Sequence, residues 1–246
     1  MKIKKMVFSA SIIIFVCITI FGVLVKNGTI WITSPFELIY NVRGVDVSSY
    51  QGDIDWNVLS KQGIKFAFIK ATEGSTFIDR YFKNNWENAC KTDLRIGAYH
   101  FFSFDSSGKT QAQNFIKVVS ITDNMLPPVI DLEFYGEKAK NPPSKEEVKI
   151  ILNELIESLE SYYKMKPIIY ATKSSYKKYI KGDYNGYDIW IRNLIFVPFL
   201  GKNKEWTFWQ YSNRKKLNGY NGSEKYIDLN FFNGNIEEFE NYNTMK

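Results

Sequence analysis

Two acidic residues two positions apart, Asp131 and Glu133, have the types and spacing that acid–base chemistry needs. They end the apolar run Pro127-Pro128-Val129-Ile130, which has the composition of a buried β-strand. Side chains alternate faces along a strand, so both carboxyls point the same way. Two carboxyls on one face repel each other, which favours keeping one of them protonated near neutral pH. One protonated and one ionised carboxyl is the pair that glycoside hydrolysis requires.

The tripeptide alone leaves two other interpretations open, because short acidic patterns are common in proteins. The acids could simply be exposed at the end of a strand, or they could belong to a structural ion pair. The decision depends on the elements that position Asp131 and Glu133, and on the residues that other elements bring beside them.

The chain alternates strands and helices around this pair. Short runs rich in β-branched and aromatic residues predict five strands, at 42–47, 65–70, 96–102, 129–133 and 167–171. Helical patterns lie between and after them, at about 55–62, 80–92, 109–119, 144–164 and 173–181. Three more strands follow with little room for helices, at 187–192, 205–211 and 226–229. Five βα units and three strands predict an α/β fold in which eight strands close into a barrel.

In such barrels the active site lies at the C-terminal ends of the strands. Here those ends carry carboxylates, at Asp46, Glu73, Asp131 with Glu133, and Asp228. They also carry aromatic residues and an amide, at Tyr99, Tyr170, Trp190, Trp209 and Gln210. Sugar rings stack on aromatic side chains while acids bind hydroxyls and transfer protons, so the set suits a polysaccharide. A calcium site is the rival use of clustered acids and would need six or more oxygen ligands. Plain barrel core is the alternative for several aromatic residues.

These segments resemble glycoside hydrolase family 25, the Chalaropsis-type lysozymes or muramidases. The matching motifs run in order from about residue 43 to 232. They are Val45 to Trp56, Ile69 to Gly74, Gly97 to Phe101, Asp131-Leu132-Glu133, Ile169-Tyr170, and Trp209-Gln210-Tyr211 with Asp228-Leu229-Asn230. Six ordered motifs over most of the chain favour the catalytic interpretation of the acid pair.

The resemblance implies a flattened TIM-like (β/α)5β3 barrel that hydrolyses the β-1,4 bond between N-acetylmuramic acid and N-acetylglucosamine in peptidoglycan. It implies that Glu133 is the general acid that protonates the leaving oxygen. Asp131 would support it, by orienting the substrate N-acetyl group or by stabilising positive charge at the anomeric centre. Asp46 and Asp228 would line the same pocket. The residues expected to bind substrate are Tyr99, Glu73, Tyr170, Trp190, Trp209 and Gln210.

The family is described as retaining, and residue types leave open whether an enzyme carboxylate or the substrate's own acetamido oxygen forms the intermediate. Two positions differ from the usual family pattern. The sixth strand has Trp190-Ile191-Arg192-Asn193-Leu194 where Trp-x-Ala-x-Tyr is frequent, and the Arg192 guanidinium could bind a peptide carboxylate or face solvent. Tyr50 stands where tryptophan is more usual, and we expect little effect because an aromatic ring is retained.

The first 26 residues predict a transmembrane helix. Lys2, Lys4 and Lys5 precede the uncharged stretch Val7–Val25, which at about 1.5 Å per residue spans roughly 28 Å. The basic start places the N-terminus in the cytoplasm. The stretch is longer than a usual cleaved signal and lacks a clear cleavage site, which favours a retained anchor over a signal peptide. We expect segments 1–26 (anchor or signal), 27–41 (juxtamembrane linker) and 42–246 (catalytic barrel), with a short C-terminal tail and no appended binding module.

The amino-acid composition limits the kinds of cofactor and binding partner that we expect. A single histidine and no cysteine cluster predict neither a metal nor a cofactor. The formal charge of +6 is spread over the chain, which fits a solvated surface or attraction to an anionic wall rather than to nucleic acid. We expect a monomer at the cell membrane, or a secreted one if the helix is cleaved, that acts on peptidoglycan strands. The alternatives are a non-catalytic peptidoglycan-binding protein and a glycosidase for another N-acetylated polysaccharide such as chitin.

Overall fold

A computed structural model describes residues 2–27 and 29–243, with side chains from residue 6 onward. Helix α1 (Lys2–Lys26) is the first element of the chain. Its part Met6–Lys26 has a mean hydropathy of 2.7 and none of it is buried, so it is long and apolar enough to cross a membrane. A signal sequence has the same properties.

The rest of the chain forms an α/β domain around a closed sheet. Its strands are β1 (Arg43–Val47), β2 (Phe66–Glu73), β3 (Phe77–Ile78), β4 (Arg95–Phe101), β5 (Val129–Leu132), β6 (Ile168–Thr172), β7 (Ile189–Arg192), β8 (Phe208–Lys215) and β9 (Ile227–Phe232). Eight of them run around the barrel in the order β1-β2-β4-β5-β6-β7-β8-β9, and β9 returns to β1. The predicted eight-stranded barrel is therefore confirmed.

One strand of the barrel, β9, runs in the opposite direction to the other seven. All neighbours from β1 to β8 are parallel, whereas β9 is antiparallel to both β8 and β1. The short β3 is the additional strand that the sequence did not predict, and it pairs only with the end of β2 as a hairpin outside the barrel. The barrel is thus a mixed sheet in which the C-terminal ends of β1, β2 and β4–β8 all meet at one rim.

Helices cover the outside of the barrel at the predicted places. They are α2 (Trp56–Leu59), α3 (Phe82–Ala89), α4 (Gly108–Val118), α5 (Lys145–Tyr163) and α6 (Lys173–Ser175), the last followed by a π-turn at Tyr176–Ile180. Ser144 caps α5: its hydroxyl accepts from the Glu147 amide, and the Glu147 carboxylate accepts from the Ser144 amide. A last helix, α7 (Ile236–Glu240), lies in the segment expected to be a tail.

Two apolar cores follow from the alternation of side chains along the strands. Inside the barrel, Phe66, Phe68 and Phe208 fill the end opposite the rim, and Phe239 of α7 closes it with its ring 5.4 Å from that of Phe66. Outside the barrel, a second core joins the strands to the helices. The interior is therefore solid at one end, and polar side chains occupy only the other end.

The segment between α1 and the barrel lies on the barrel surface, with a 3-10 turn at Ser34–Leu38. The buried Thr33 hydroxyl donates to the Tyr211 carbonyl oxygen at 2.7 Å. The Phe36 ring lies 5.5 Å from that of Trp209, and the Tyr40 ring 5.2 Å from that of Trp206. The segment expected to be a plain linker is thus packed against strand β8 and the loop before it.

Candidate active site

Four carboxylates meet at the rim where the parallel strands end. Asp46 of β1 and Asp228 of β9 are directly opposite each other across the antiparallel pair. Asp131 is on β5, and Glu133 follows the end of that strand on the same face. All four line one cavity of about 460 Å³. The two acids that the sequence grouped by spacing are therefore joined by two others from distant parts of the chain.

Gln210 holds Asp46 and Asp228 together. Its Nε2 lies 3.0 and 3.1 Å from the two carboxylate oxygens of Asp46 and 3.1 Å from Oδ2 of Asp228. Its Oε1 accepts a hydrogen bond from the Tyr170 hydroxyl at 3.0 Å, which fixes the orientation of the amide. Asn230 adds a further donor, with its Nδ2 2.8 Å from Oδ2 of Asp46. Uncharged amides thus donate to both carboxyls, which lie directly opposite each other on neighbouring strands.

Burial raises the pKa of both of these carboxyls. The pKa of Asp46 is raised by desolvation, although hydrogen bonds from Asn230 and Gln210 partly oppose this effect. The pKa of Asp228 is raised well above its usual range by desolvation and by the neighbouring charge of Asp46. The two acids therefore hold protons at pH values where exposed aspartates have released them.

Asp131 has a buried carboxyl oxygen without a hydrogen-bond partner among the described residues. Its side chain is buried, and the oxygen concerned is Oδ1. Burial and the negative charge of Glu133 raise the pKa of Asp131 well above the usual range. An orphaned buried carboxyl oxygen is costly unless a partner arrives, so it is available to a polar group of a bound ligand.

Glu133 is half-buried, and its surroundings act on its pKa in opposite directions. Desolvation raises its pKa, and the charge of Asp46 adds to this, whereas the charges of Arg192 and Lys70 lower it. The result is a carboxyl with a raised pKa that still has cations nearby to stabilise its ionised form. A group that must give up a proton and then carry a negative charge needs both properties.

Aromatic side chains form the floor and one wall of the cavity. Tyr99, Tyr170 and Trp190 all line it. Burial raises the pKa of both tyrosines well above the usual range, so both hydroxyls stay protonated. Trp190 is almost fully buried, with its ring stacked 4.6 Å from that of Phe68 and its Nε1 donating to Oδ1 of Asn230. Trp190 therefore supports the floor more than it presents a face to a ligand.

Two residues predicted to bind substrate lie outside the cavity. Trp209 is fully buried in the outer core because it sits between Phe208 and Gln210, whose side chains point into the barrel. Alternation along β8 could have shown this, since Trp209 and Gln210 cannot share a face. Glu73 follows a register shift between Lys70 and Thr72, and its carboxylate pairs with Nζ of Lys70 at 2.9 Å.

The cavity also has basic and polar residues that the sequence did not assign to it. Lys70 lines the cavity. Alternation along β2 could have predicted this, because Lys70 shares a face of the strand with Phe66 and Phe68, which point into the barrel. Arg192, whose place the sequence left open, lines the cavity too, and no described carboxylate lies within ion-pair distance of it. The remaining lining residues are Val47, Ser48, Tyr50, Gln51, Phe101, Asn213, Glu224 and Tyr226.

His100 is not part of this site. Its ring is fully buried, with Nδ1 2.7 Å from the Thr72 hydroxyl and Nε2 2.9 Å from Oε1 of Gln111. Desolvation lowers its pKa to about 4, so the ring is neutral at neutral pH. Within residues 2–27 and 29–243, no cluster of three or more His, Cys, Asp or Glu side chains has an arrangement that could hold a metal ion.

The sequence was compared with models of known protein families. Residues 45–220 match the model of the family described as glycosyl hydrolases family 25. The chain belongs to glycoside hydrolase family 25. The matched range contains Asp46, Asp131, Glu133 and Gln210, and it ends before Asp228, which is placed in the site by its pairing with Asp46.

Similar proteins come from several bacteria. A solved family 25 glycosyl hydrolase from Bacillus anthracis is 60% identical, with a TM-score of 0.79, and the match covers 83% of this chain and 94% of that one. YegX of Escherichia coli K12, a protein described as uncharacterized, is 35% identical over 82% of this chain and 73% of its own length. Lysozyme M1 of Streptomyces globisporus is 32% identical over 78% of this chain and 68% of its own.

Proposed function

We propose that this protein is a muramidase, which hydrolyses the β-1,4 bond between N-acetylmuramic acid and N-acetylglucosamine in peptidoglycan. The observation that carries the proposal is the grouping of Asp131 and Glu133 with Asp46 and Asp228 in one cavity. Family membership supports it, as does the similarity to a protein named lysozyme M1. A chain that only bound glycan would not need buried acids with raised pKa values.

Glu133 is the proposed general acid. Burial raises its pKa, so it keeps its proton to higher pH than an exposed glutamate and can deliver that proton to the glycosidic oxygen as the bond to the anomeric carbon breaks. The carboxylate left behind lies in the field of Arg192 and Lys70, which favour the ionised form. The same residue can then accept a proton from the water molecule that completes hydrolysis.

Asp131 is the proposed partner of Glu133. Its buried Oδ1, which lacks a partner in the part of the chain that the structure describes, is available to the N-acetyl group of the sugar or to positive charge at the anomeric centre. The Tyr99 hydroxyl, held in its protonated form, can donate to the same sugar or to these acids, whereas the Tyr170 hydroxyl already donates to Oε1 of Gln210. Asp46 and Asp228 complete an acidic wall that favours an oxocarbenium-like transition state.

Helix α1 is proposed to be a retained membrane anchor with the barrel outside the cell. Its length and apolar composition permit a span, and the lysines at its start favour a cytoplasmic N-terminus. This arrangement points to remodelling of the cell's own wall. Fractionation of cells should therefore find the protein in the membrane, and a processed barrel free in the medium would contradict the anchor.

The decisive experiment compares this protein, with α1 included, with its Glu133→Gln variant, both in detergent, on purified peptidoglycan. Wild-type protein should release muropeptides with N-acetylmuramic acid at the reducing end, identified by mass. Glu133→Gln should lower the rate about 10²- to 10⁴-fold, the range for loss of a general acid. Glu137→Gln is the matched control, because Glu137 is exposed and outside the cavity, and it should keep full activity.

The products distinguish the other candidates. Reducing ends that carry N-acetylglucosamine would assign the protein to the same enzyme class with a different bond. Release of oligomers from chitin but not from peptidoglycan would assign a different polysaccharide. Binding of the wall by folded wild-type protein without any release would favour a non-catalytic binding protein.

A further inference from the structure

Exposed apolar side chains are concentrated on one part of the barrel surface. Beyond α1, Leu38 exposes 91% of its surface, Phe199 81%, Phe196 69% and Ile39 68%, and no other described large hydrophobic residue after α1 exposes two thirds or more. Ile32 and Ile195 add about half of theirs. We refer to these six residues as the apolar surface. Clustered exposed apolar side chains usually mark a contact with a membrane or another protein.

The apolar surface comes from two segments that contact each other. One is the segment after α1 and the other is the loop between β7 and β8. Trp31 Nε1 donates to the Leu194 carbonyl oxygen at 2.7 Å, and Leu194 immediately precedes the exposed part of the loop. Trp209 Nε1 donates to the Asn193 carbonyl oxygen, and the Trp209 ring meets that of Phe36. Both segments are therefore fixed to the same face of the barrel.

This face lies beside the end of α1. Trp31 is five residues beyond Lys26, so an extended chain would separate them by at most about 18 Å. The barrel also contacts the intervening residues directly, because Lys215 Nζ donates to the Thr29 carbonyl oxygen at 3.3 Å and the Tyr226 hydroxyl to that of Lys26 at 3.4 Å. Any bilayer that α1 spans would begin within reach of the apolar surface.

Aromatic and basic side chains border this junction. The Arg214 guanidinium lies 5.7 Å from the Trp31 ring and 5.4 Å from the Tyr226 ring, and Lys215 is next to it in sequence. Tryptophan, tyrosine and basic residues are enriched at the level of lipid headgroups, where rings sit at the interface and cations meet lipid phosphates. This composition favours lipid as the occupant over a second protein.

We propose that the apolar surface inserts into the outer leaflet of the membrane that α1 spans, and so fixes the orientation of the barrel against the lipid. Tyr226 lines the catalytic cavity as well as contacting Lys26. Insertion therefore holds the rim of the cavity next to the headgroups, where glycan strands closest to the membrane can enter. The proposed membrane contact does not depend on the proposed hydrolysis. Only the statement that glycan strands enter the cavity rests on the proposed function.

The test measures lipid contact directly on the full chain. Single cysteines replace Phe199 or Leu38 in a Cys17→Ser/Cys90→Ser background, are labelled with a polarity-sensitive fluorophore, and are placed in nanodiscs of phosphatidylglycerol and phosphatidylethanolamine. Ile150→Cys is the matched control, since Ile150 is 64% exposed and belongs to α5 rather than to either segment. All these positions are exposed, so folding should survive the changes.

Insertion predicts that nitroxide-labelled lipids quench the probes at positions 199 and 38 at least twofold more than the probe at position 150, with blue-shifted emission at the first two. Equal quenching at all three positions would overturn the proposal. Blue-shifted emission without lipid quenching would also overturn it, because protein rather than lipid would then cover the surface. Since the readout needs no hydrolysis, a failed activity assay leaves this result unaffected.

Discussion

Single residues in the cavity show how four acids can share about 460 Å³. Gln210 and Asn230 donate to Asp46 without neutralising it, and Gln210 also donates to Asp228. An amide stabilises an ionised carboxylate less than a paired cation does, so desolvation still dominates and the pKa values of both acids are raised. The cavity thereby keeps its protons to higher pH than a site built from ion pairs would.

Arg192 is the residue whose removal should be visible in a pH profile. Its positive charge lowers the pKa of Glu133, against the larger effect of burial. Because the general acid works in its protonated form, activity falls as the pH rises through the pKa of Glu133. Arg192→Gln should raise that pKa further, so the alkaline limb of the kcat/KM profile should move to higher pH.

The control for this shift is Lys109→Gln, which removes an exposed charge on α4 outside the cavity and should leave the profile unchanged. Lys70→Gln provides a second case, since the charge of Lys70 also lowers the pKa of Glu133. An alkaline limb that moves to lower pH in Arg192→Gln would show that Glu133 does not act as the acid.

At the scale of the elements, local signals in the sequence were sufficient for most of the architecture. The eight barrel strands and the capped start of α5 were predictable, because strand composition and capping boxes act over a few residues. The grouping of Asp46 and Asp228 followed from the rule that the active site of such a barrel lies at one rim, and their direct pairing could not be predicted because no local pattern pairs residues so far apart. The positions of Glu73 and Trp209 depend on a register shift in β2 and on strict alternation in β8.

The packing of residues 29–41 is the element-scale feature that the sequence did not reveal. Composition identified a short segment with glycine and proline, yet its contacts are with Tyr211, Trp206 and Trp209, more than 160 positions away. Such contacts exist only once β8 is in place, so no local pattern encodes them. The segment contributes to the stability of the barrel as well as connecting it to α1.

Phe36→Ala tests this contribution in the full chain in detergent. Phe36 is half-buried against Trp209, and truncation should lower the free energy of unfolding by about 2 kcal/mol, less than the cost for a fully buried ring. Leu38→Ala is the matched control two residues away, because Leu38 is 91% exposed and should contribute nothing measurable in detergent. Equal unfolding curves for both variants and the wild type would mean that the segment is a free linker.

For the whole molecule, stability against pH is a balance between the cavity acids and His100. Each acid with a raised pKa keeps a proton in the folded state that the unfolded chain releases near pH 4, so it costs stability as pH rises above that value. His100 acts in the opposite direction. Its pKa is lowered to about 4 in the folded state, so stability is lost as pH falls from about 6.5 towards 4.

Asp228→Asn separates the two effects, because His100 is present in both proteins and cancels in their difference. The raised pKa of the wild-type carboxyl costs more stability the further the pH rises above the value for the unfolded chain, so the wild type bears a larger cost at pH 7.5 than at pH 5, whereas the uncharged amide bears none. The melting temperature of the variant relative to wild type should therefore be higher at pH 7.5 than at pH 5, by about 2–4 °C for each kcal/mol relieved. Asp93→Asn, at an exposed position outside the cavity, should show the same difference at both pH values. If Asp228→Asn also behaved that way, the buried acids would not be the groups that link this fold to pH, and the advantage of the native carboxylate for catalysis would carry no cost in stability.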